Sequence, residues 1–99
     1  MFGPNGKPVI KLAWEQYKEW QRWDEWPERM DNPPLTVETV FWYENEQYMV
    51  TASNNEYVIV SLPDFNEKIH SKNLISLLEL PLFDSNSFKE LICEFFFEN

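Results

Sequence analysis

Hydrophobic and polar positions along this 99-residue chain switch from a helical period to an alternating one and back again. Near the start, charged side chains oppose an apolar stripe that spans about 120° at 100° per residue. The stripe consists of Ile10, Ala13, Trp14, Tyr17 and Trp20. This spacing predicts an amphipathic helix over residues 9–25. Residues 1–7 hold both glycines of the chain and are predicted to form a flexible lead-in.

The segment 36–62 has the composition of β-structure, because Val, Thr, Ile, Tyr and Phe dominate it. Polar links at 44–46 and 54–55 divide it into three runs. Tight hairpin turns need residues with positive φ, and no glycine is present here to supply them. Asparagine is the next best choice, and it stands where it is needed, at Asn45, Asn54 and Asn55. The pattern predicts a three-stranded antiparallel β-meander.

Two helices are predicted after the meander. Ser71 is placed to cap a short helix over 72–79, and Ser87 with Glu90 has the spacing of a capping box that opens a last helix over 87–97. The fold class is therefore α+β, with the meander packed against an N-terminal and a C-terminal helix and a short helix before the last one.

Composition fits one domain over residues 1–99, because 43% hydrophobic residues and seventeen aromatic ones can fill a single core. Aromatic residues recur at every third position from Trp14 to Trp26. A spacing of three drifts by about 60° per step around an α-helix, so these rings cannot all face one core. We expect Trp23 and Trp26 to cover a sheet edge or to remain partly exposed.

Charge is unevenly distributed along the chain, whose net charge is −9. Residues 30–67 contain no Lys or Arg, while the residues before them are balanced. Seven acidic residues lie in that segment: Asp31, Glu38, Glu44, Glu46, Glu56, Asp64 and Glu67. This distribution predicts an anionic patch at one end or face of the sheet, with aromatic rings beside it that suit Arg and Lys side chains.

Several functions are disfavoured by what the sequence lacks. No glycine follows Gly6, so a glycine-rich phosphate-binding loop is disfavoured. The chain has one histidine, His70, and one cysteine, Cys93. These numbers disfavour a metal site with several His or Cys ligands and a catalytic Cys–His pair. We therefore expect neither an enzyme nor a cofactor. The acidity disfavours nucleic acids and anionic membranes, and no signal peptide or spanning segment is apparent, so a cytoplasmic location is expected.

The remaining hypotheses concern binding. The first is an intracellular domain that binds a protein with a basic surface, such as an immunity-type inhibitor that masks a nuclease-like partner. The predicted partner-binding residues are Glu44, Glu46, Glu56, Trp42, Asp31, Trp23 and Trp26. Alternatives are a DNA mimic, or a small bacterial or phage subunit that forms a homodimer or other oligomer through Trp23, Trp26 and Phe97. Acidity that serves only solubility also stays open.

Overall fold

Short strands are the most abundant regular element of the structure, because runs of β-branched and aromatic residues alternate between two faces of a sheet. The structure, a computed structural model, describes residues 1–98. Its strands and α-helices are β1 (Val9–Ile10), α1 (Trp14–Trp20), β2 (Thr39–Tyr43), β3 (Glu46–Ser53), β4 (Glu56–Ser61), β5 (Asn66–Ser71), α2 (Leu74–Glu79), β6 (Pro81–Phe83), β7 (Asn86–Ser87), α3 (Phe88–Leu91) and β8 (Phe96–Glu98). Short 3-10 turns occupy Trp23–Glu25, Pro27–Arg29 and Ile92–Glu94.

Six of the strands form one antiparallel sheet in the order β1-β8-β2-β3-β4-β5, and β6 and β7 form a separate hairpin. Phe97 of β8 lies between Ile10 of β1 and Phe41 of β2. The α+β prediction is confirmed. The prediction of a three-stranded meander is wrong, because β2, β3 and β4 are only the middle of a six-stranded sheet.

The first helix is much shorter than the predicted 9–25. Val9 and Ile10 pair with β8 instead, as suits β-branched side chains. The helix begins after Ala13, whose backbone N–H donates to the Gln16 side chain at 2.8 Å. It ends near Gln21, because Arg22 adopts a left-handed conformation with φ of 58°.

The last helix also differs from the prediction. The capping box of Ser87 and Glu90 is present, but α3 ends at Leu91 and the chain returns to the sheet as β8. Phe95 and Phe97 are fully buried while Phe96 is half-buried, which is the alternation of a strand. A short apolar run fits both periods, so the helical interpretation was wrong there.

Two further elements, α2 and β5, differ from the prediction. The short helix predicted over 72–79 is present as α2, but Asn73 caps it by accepting from the Ser76 N–H at 2.9 Å. β5 lies outside the predicted meander, because five of its six residues are polar and no apolar run marks it as a strand. Within residues 1–98, none of the helices has the length and apolar character needed to cross a membrane.

The core lies on the face of the sheet that the helices cover. Large rings fill it, and each strand contributes alternate residues. Its fully buried members include Tyr17, Phe41, Val50, Ile59, Leu74, Leu77, Leu78, Phe88, Phe95 and Phe97. The opposite face carries Val40, Met49 and Val60 in facing registers and Trp42 beside them, so both faces of the central strands are largely apolar.

A fully buried glutamine, Gln21, ties the end of α1 to the chain that leads into β2. Its side-chain amide donates to the Val37 carbonyl at 2.8 Å, and its side-chain oxygen accepts from the Thr36 and Val37 N–H groups at 3.0 Å each. The Tyr17 hydroxyl bonds to Thr39 Oγ1 at 3.0 Å beside it. We call these five residues the Gln21 cluster.

The predicted flexible lead-in folds into a hydrogen-bonded turn on the outer face of the sheet, with Gly3 donating to the Lys7 carbonyl at 2.8 Å. Gly3 approaches Trp42 so closely that an added Cβ would lie 3.3 Å from the indole nitrogen. Glu98 accepts from that nitrogen at 2.9 Å and from the Asn5 side chain at 3.2 Å. The turn is therefore fixed to β2 and β8.

Candidate partner-binding site

Two hairpins that are distant in sequence meet beside the sheet and enclose an open cleft. One is the β2–β3 hairpin, which turns at Glu44-Asn45, and the other is the β6–β7 hairpin, which turns at Asp84-Ser85. The cleft has a volume of about 410 Å³. Its lining, which defines what we call the hairpin cleft, consists of Tyr43, Glu44, Glu46, Tyr48, Leu82, Phe83 and Asp84.

Both turns place an acidic residue in a left-handed conformation. Glu44 has φ of 50° and Asp84 has φ of 48°, and the next residue in each turn is also left-handed. Two-residue hairpins need this geometry, which asparagine and glycine adopt most readily. Glutamate has no such preference, so the Glu44 position is occupied by a side chain that the turn itself does not favour.

Aromatic rings form the floor of the hairpin cleft. Tyr43 and Phe83 stack with their centroids 4.7 Å apart and their planes at 27°, and Tyr48 meets Phe83 edge-on at 4.9 Å. Phe95 continues this aromatic layer into the core, at 5.4 Å from Tyr43. The floor is therefore rigid, because it is an extension of the packed interior.

Carboxylates surround the rings and make the cleft electronegative. Tyr48 donates its hydroxyl to Glu46 at 3.0 Å. Burial, this hydrogen bond and the charges of Glu46 and Glu44 together raise the pKa of Tyr48 to about 12. The pKa of Tyr43 is also raised, first by burial and then by the charges of Glu44, Glu94 and Asp84. Both phenols thus respond to a negative potential.

Among the described residues, no Lys, Arg or His side chain forms an ion pair with the acidic residues of the hairpin cleft. The ion pairs found among residues 1–98 leave out Glu44, Glu46 and Asp84. At the opposite end of β3, Glu56 contacts His70, whose pKa is raised by that hydrogen bond and by the charges of Glu56 and Glu67. At the β3–β4 hairpin Glu56 is therefore paired with a histidine, whereas at the β2–β3 hairpin Glu44 and Glu46 have no ion-pair partner among residues 1–98.

No protein-family model, curated protein or solved structure matches this chain. Within the described residues, no group of three or more His, Cys, Asp or Glu side chains is arranged to hold a metal ion.

The structure brings only two of the predicted partner-binding residues into the hairpin cleft, namely Glu44 and Glu46. Trp42 lies on the other face of the sheet, since successive residues of a strand point in opposite directions. It lines a second cavity of about 450 Å³ with Phe2, Pro4 and Phe96. Glu44 borders this cavity as well.

Glu56 and Asp31 do not join the cleft. Glu56 of β4 is paired with Ser53, at the far end of β3. Ser53 is seven residues from Glu46 on the same strand, so Glu56 lies roughly 23 Å from Glu46 along the strand direction. The expectation of one anionic end of the sheet therefore needs correction, because consecutive turns of a meander lie at opposite ends. Asp31 is exposed in the loop before β2, where its carbonyl accepts from the Asn73 side chain at 2.9 Å.

The predicted tryptophans contribute to packing more than to the cleft. Trp23 is half-buried, donates to the Pro34 carbonyl at 3.0 Å and meets the Tyr17 ring edge-on at 6.0 Å. Trp26 is 38% exposed. Phe97, which the oligomer hypothesis included, is fully buried in β8, so that surface loses Phe97 and keeps Trp26 and the exposed part of Trp23.

Sequence reasoning missed half of the hairpin cleft. Asp84, Phe83 and Leu82 come from the β6–β7 hairpin, which was not predicted. The available signal was Phe83-Asp84-Ser85-Asn86, a polar two-residue link between short runs. Its meeting with the β2–β3 hairpin is a tertiary contact that no local pattern contains.

Proposed function

We propose that this chain is a protein-binding domain that receives a basic surface of another protein at the hairpin cleft. The observation that carries the proposal is the group of Glu44, Glu46 and Asp84, which surround aromatic rings and have no ion-pair partner among residues 1–98. Uncompensated carboxylates beside aromatic rings favour association with Lys and Arg side chains.

The long cation-free segment supports the same proposal through association rates. Residues 30–67 carry seven acids and no Lys or Arg, and the fold adds Asp84 to them at the cleft. A surface of one sign attracts an oppositely charged partner during diffusion and speeds their encounter at low salt.

An inhibitor of the immunity type is the specific form of the proposal that we favour. A nuclease-like partner holds phosphates with cationic side chains, and an acidic cleft with a rigid aromatic floor is complementary to such a surface. In this form the domain masks the basic site of its partner, remains non-catalytic, and acts in the cytoplasm.

The decisive experiment compares capture of partners by three forms of the full chain. These are the wild type, the Glu44→Lys/Glu46→Lys variant and a control with the same change in net charge, Glu19→Lys/Glu28→Lys. The control residues are exposed and lie outside the cleft. We expect a basic protein to be captured by the wild type and the control, with binding to the cleft variant weakened at least about tenfold.

Circular dichroism must show that the cleft variant is folded, and a partner with nuclease activity should lose it on binding the wild type. Equal capture by both double variants would contradict the proposal, since nonspecific attraction depends on net charge alone.

A homodimer in light scattering that is lost on Trp26→Ala would favour the oligomeric subunit instead. Competition with DNA for a DNA-binding partner that has no nuclease activity would favour the mimic.

A further inference from the structure

We infer that the hairpin cleft is an arginine receptor, in which one guanidinium group of the partner lies against the aromatic floor between the two turns. The inference rests on the proposed function and names the side chain that the cleft selects. Three independent features carry it: the half-buried aromatic rings that line the cleft, the placement of carboxylates on two separate hairpins, and the size of the cleft.

The ring geometry suits a planar cation. Tyr43 and Phe83 stack on each other with their centroids 4.7 Å apart, but both are only half-buried, so the ring surface that they do not cover is available to the cleft that they line. A guanidinium group is flat and weakly hydrated, and it stacks on aromatic rings. An ammonium group is a compact and strongly hydrated charge that gains less from such a surface.

The carboxylates approach from two sides. Glu44 and Glu46 belong to the β2–β3 hairpin, while Asp84 belongs to the β6–β7 hairpin across the cleft. The five N–H donors of a guanidinium point outward in its plane, so one group can reach acceptors on opposite walls. One oxygen of Glu46 already accepts from Tyr48 at 3.0 Å, which orients that carboxylate.

Charge complementarity selects the sign of the occupant, and the cavity limits its size. The raised pKa values of Tyr43 and Tyr48 agree with a negative potential at the floor. The volume of about 410 Å³ falls near the lower end of the range for small-molecule sites, so the cleft accommodates one long side chain rather than a folded element.

The test uses three capped tripeptides, acetyl-Ala-X-Ala-amide, in which X is arginine, lysine or citrulline. Citrulline keeps the shape of arginine and removes the charge. Each peptide is titrated into the isotopically labelled full chain, and the backbone amide signals of Glu44, Asn45, Asp84 and Ser85 are followed by NMR. The Asn54-Asn55 turn serves as the internal control.

We expect the arginine peptide to shift the cleft signals and not those of the control turn, lysine to bind about threefold more weakly, and citrulline not to bind. The Glu44→Asn/Asp84→Asn variant should weaken arginine binding about tenfold. Asparagine is favoured in left-handed turns, so this variant keeps both turns intact. Its charge-matched control, Glu19→Gln/Glu28→Gln, should bind as the wild type does.

Equal affinity for arginine and lysine, or shifts that lie elsewhere, would overturn the inference. If the arginine peptide leaves the cleft unchanged while a basic partner still depends on Glu44 and Glu46, the arginine receptor is refuted and the proposed function stands. If no partner depends on those residues, the proposed function itself is refuted.

Discussion

The Gln21 cluster and the hairpin cleft both gather polar groups around a tyrosine whose pKa is raised to about 12, yet they use those groups in opposite ways. In the Gln21 cluster every polar atom of the glutamine side chain is bonded within the chain. In the cleft, carboxylates from two hairpins lie beside aromatic rings, and none of them has an ion-pair partner in the part of the chain that the structure describes. Internal satisfaction holds a fold together, whereas unpaired charge at a surface is available to another molecule.

The largest effect on stability is expected from a substitution in the Gln21 cluster, whose polar groups are bonded within the chain. Replacing the buried Gln21 by leucine leaves the half-buried Thr36 and Val37 N–H groups and the Val37 carbonyl without their side-chain partner. We expect a loss of about 3 kcal/mol in the free energy of unfolding, measured in urea. Tyr17→Phe, which removes a single hydroxyl, should cost about 1 kcal/mol.

Binding to the basic partner should be unaffected in the fraction of Gln21→Leu that remains folded. A loss of stability below about 0.5 kcal/mol would mean that water replaces the glutamine and that the cluster is not structural.

The two tyrosines separate burial from charge as causes of a raised pKa. Burial dominates for Tyr17, and its bonds to Thr39 and Gln21 lower the pKa, whereas Glu46 adds to the increase at Tyr48. Glu46→Gln should therefore move the pKa of Tyr48 towards 10 and leave that of Tyr17 near 12, as measured by NMR titration of labelled tyrosine rings.

The raised pKa values of Tyr17 and Tyr48 also predict how the free energy of unfolding changes with pH. Both pKa values lie above the ordinary value of 10, so the folded state holds these protons more tightly than the unfolded state does. Their contribution is complete below pH 10 and is lost as the pH rises towards 12. A wild type whose stability stays constant over that range would contradict the assignment.

The turns at the two ends of β3 offer a smaller and more exact comparison. Glu44 occupies a left-handed position in one turn and Asn54 occupies the matching position in the other, with φ of 50° and 54°. Glu44→Asn should raise the free energy of unfolding by about 1 kcal/mol, and Asn54→Glu should lower it by about as much.

If the hairpin cleft binds a partner, Glu44→Asn should weaken that binding although it stabilises the protein, and Asn54→Glu should leave the affinity unchanged. Such an exchange between stability and binding is expected where a residue is kept for contact with a partner. Stabilisation with unchanged affinity would remove Glu44 from the binding site.

The smallest effect on stability is expected at the β3–β4 hairpin, where Glu56 contacts His70. His70 donates from Nδ1 to the Glu56 carboxylate, and its raised pKa means that this pair contributes most below pH 6.5 and progressively less as the pH rises through the folded value. An NMR titration should place the pKa of His70 above 6.5, and Glu56→Gln should lower it more than Glu67→Gln does. Because the pair is exposed, the change in stability should be slight.

Local sequence patterns predicted the elements whose signals are local. The middle strands, α2, the capping box at Ser87 and the left-handed asparagines all follow from short-range chemistry. The outer strands did not, because Val9–Ile10 and Phe96–Glu98 become strands only by pairing with each other and with β2. The same limit applies to the hairpin cleft: its acids on β2–β3 were predicted, and the wall that faces them was not.

The position of β8 also governs the order in which the protein can assemble during translation. β2, β3 and β4 leave the ribosome long before residues 96–98, so the edge of β2 that carries Phe41 and Trp42 stays uncovered until β8 arrives. Closing the sheet joins Ile10 to Phe97 across almost the whole chain, a slow step by the entropy of loop closure. The nascent chain therefore exposes an unpaired strand edge between the synthesis of β2–β4 and that of residues 96–98, and a holdase chaperone would protect it in that interval.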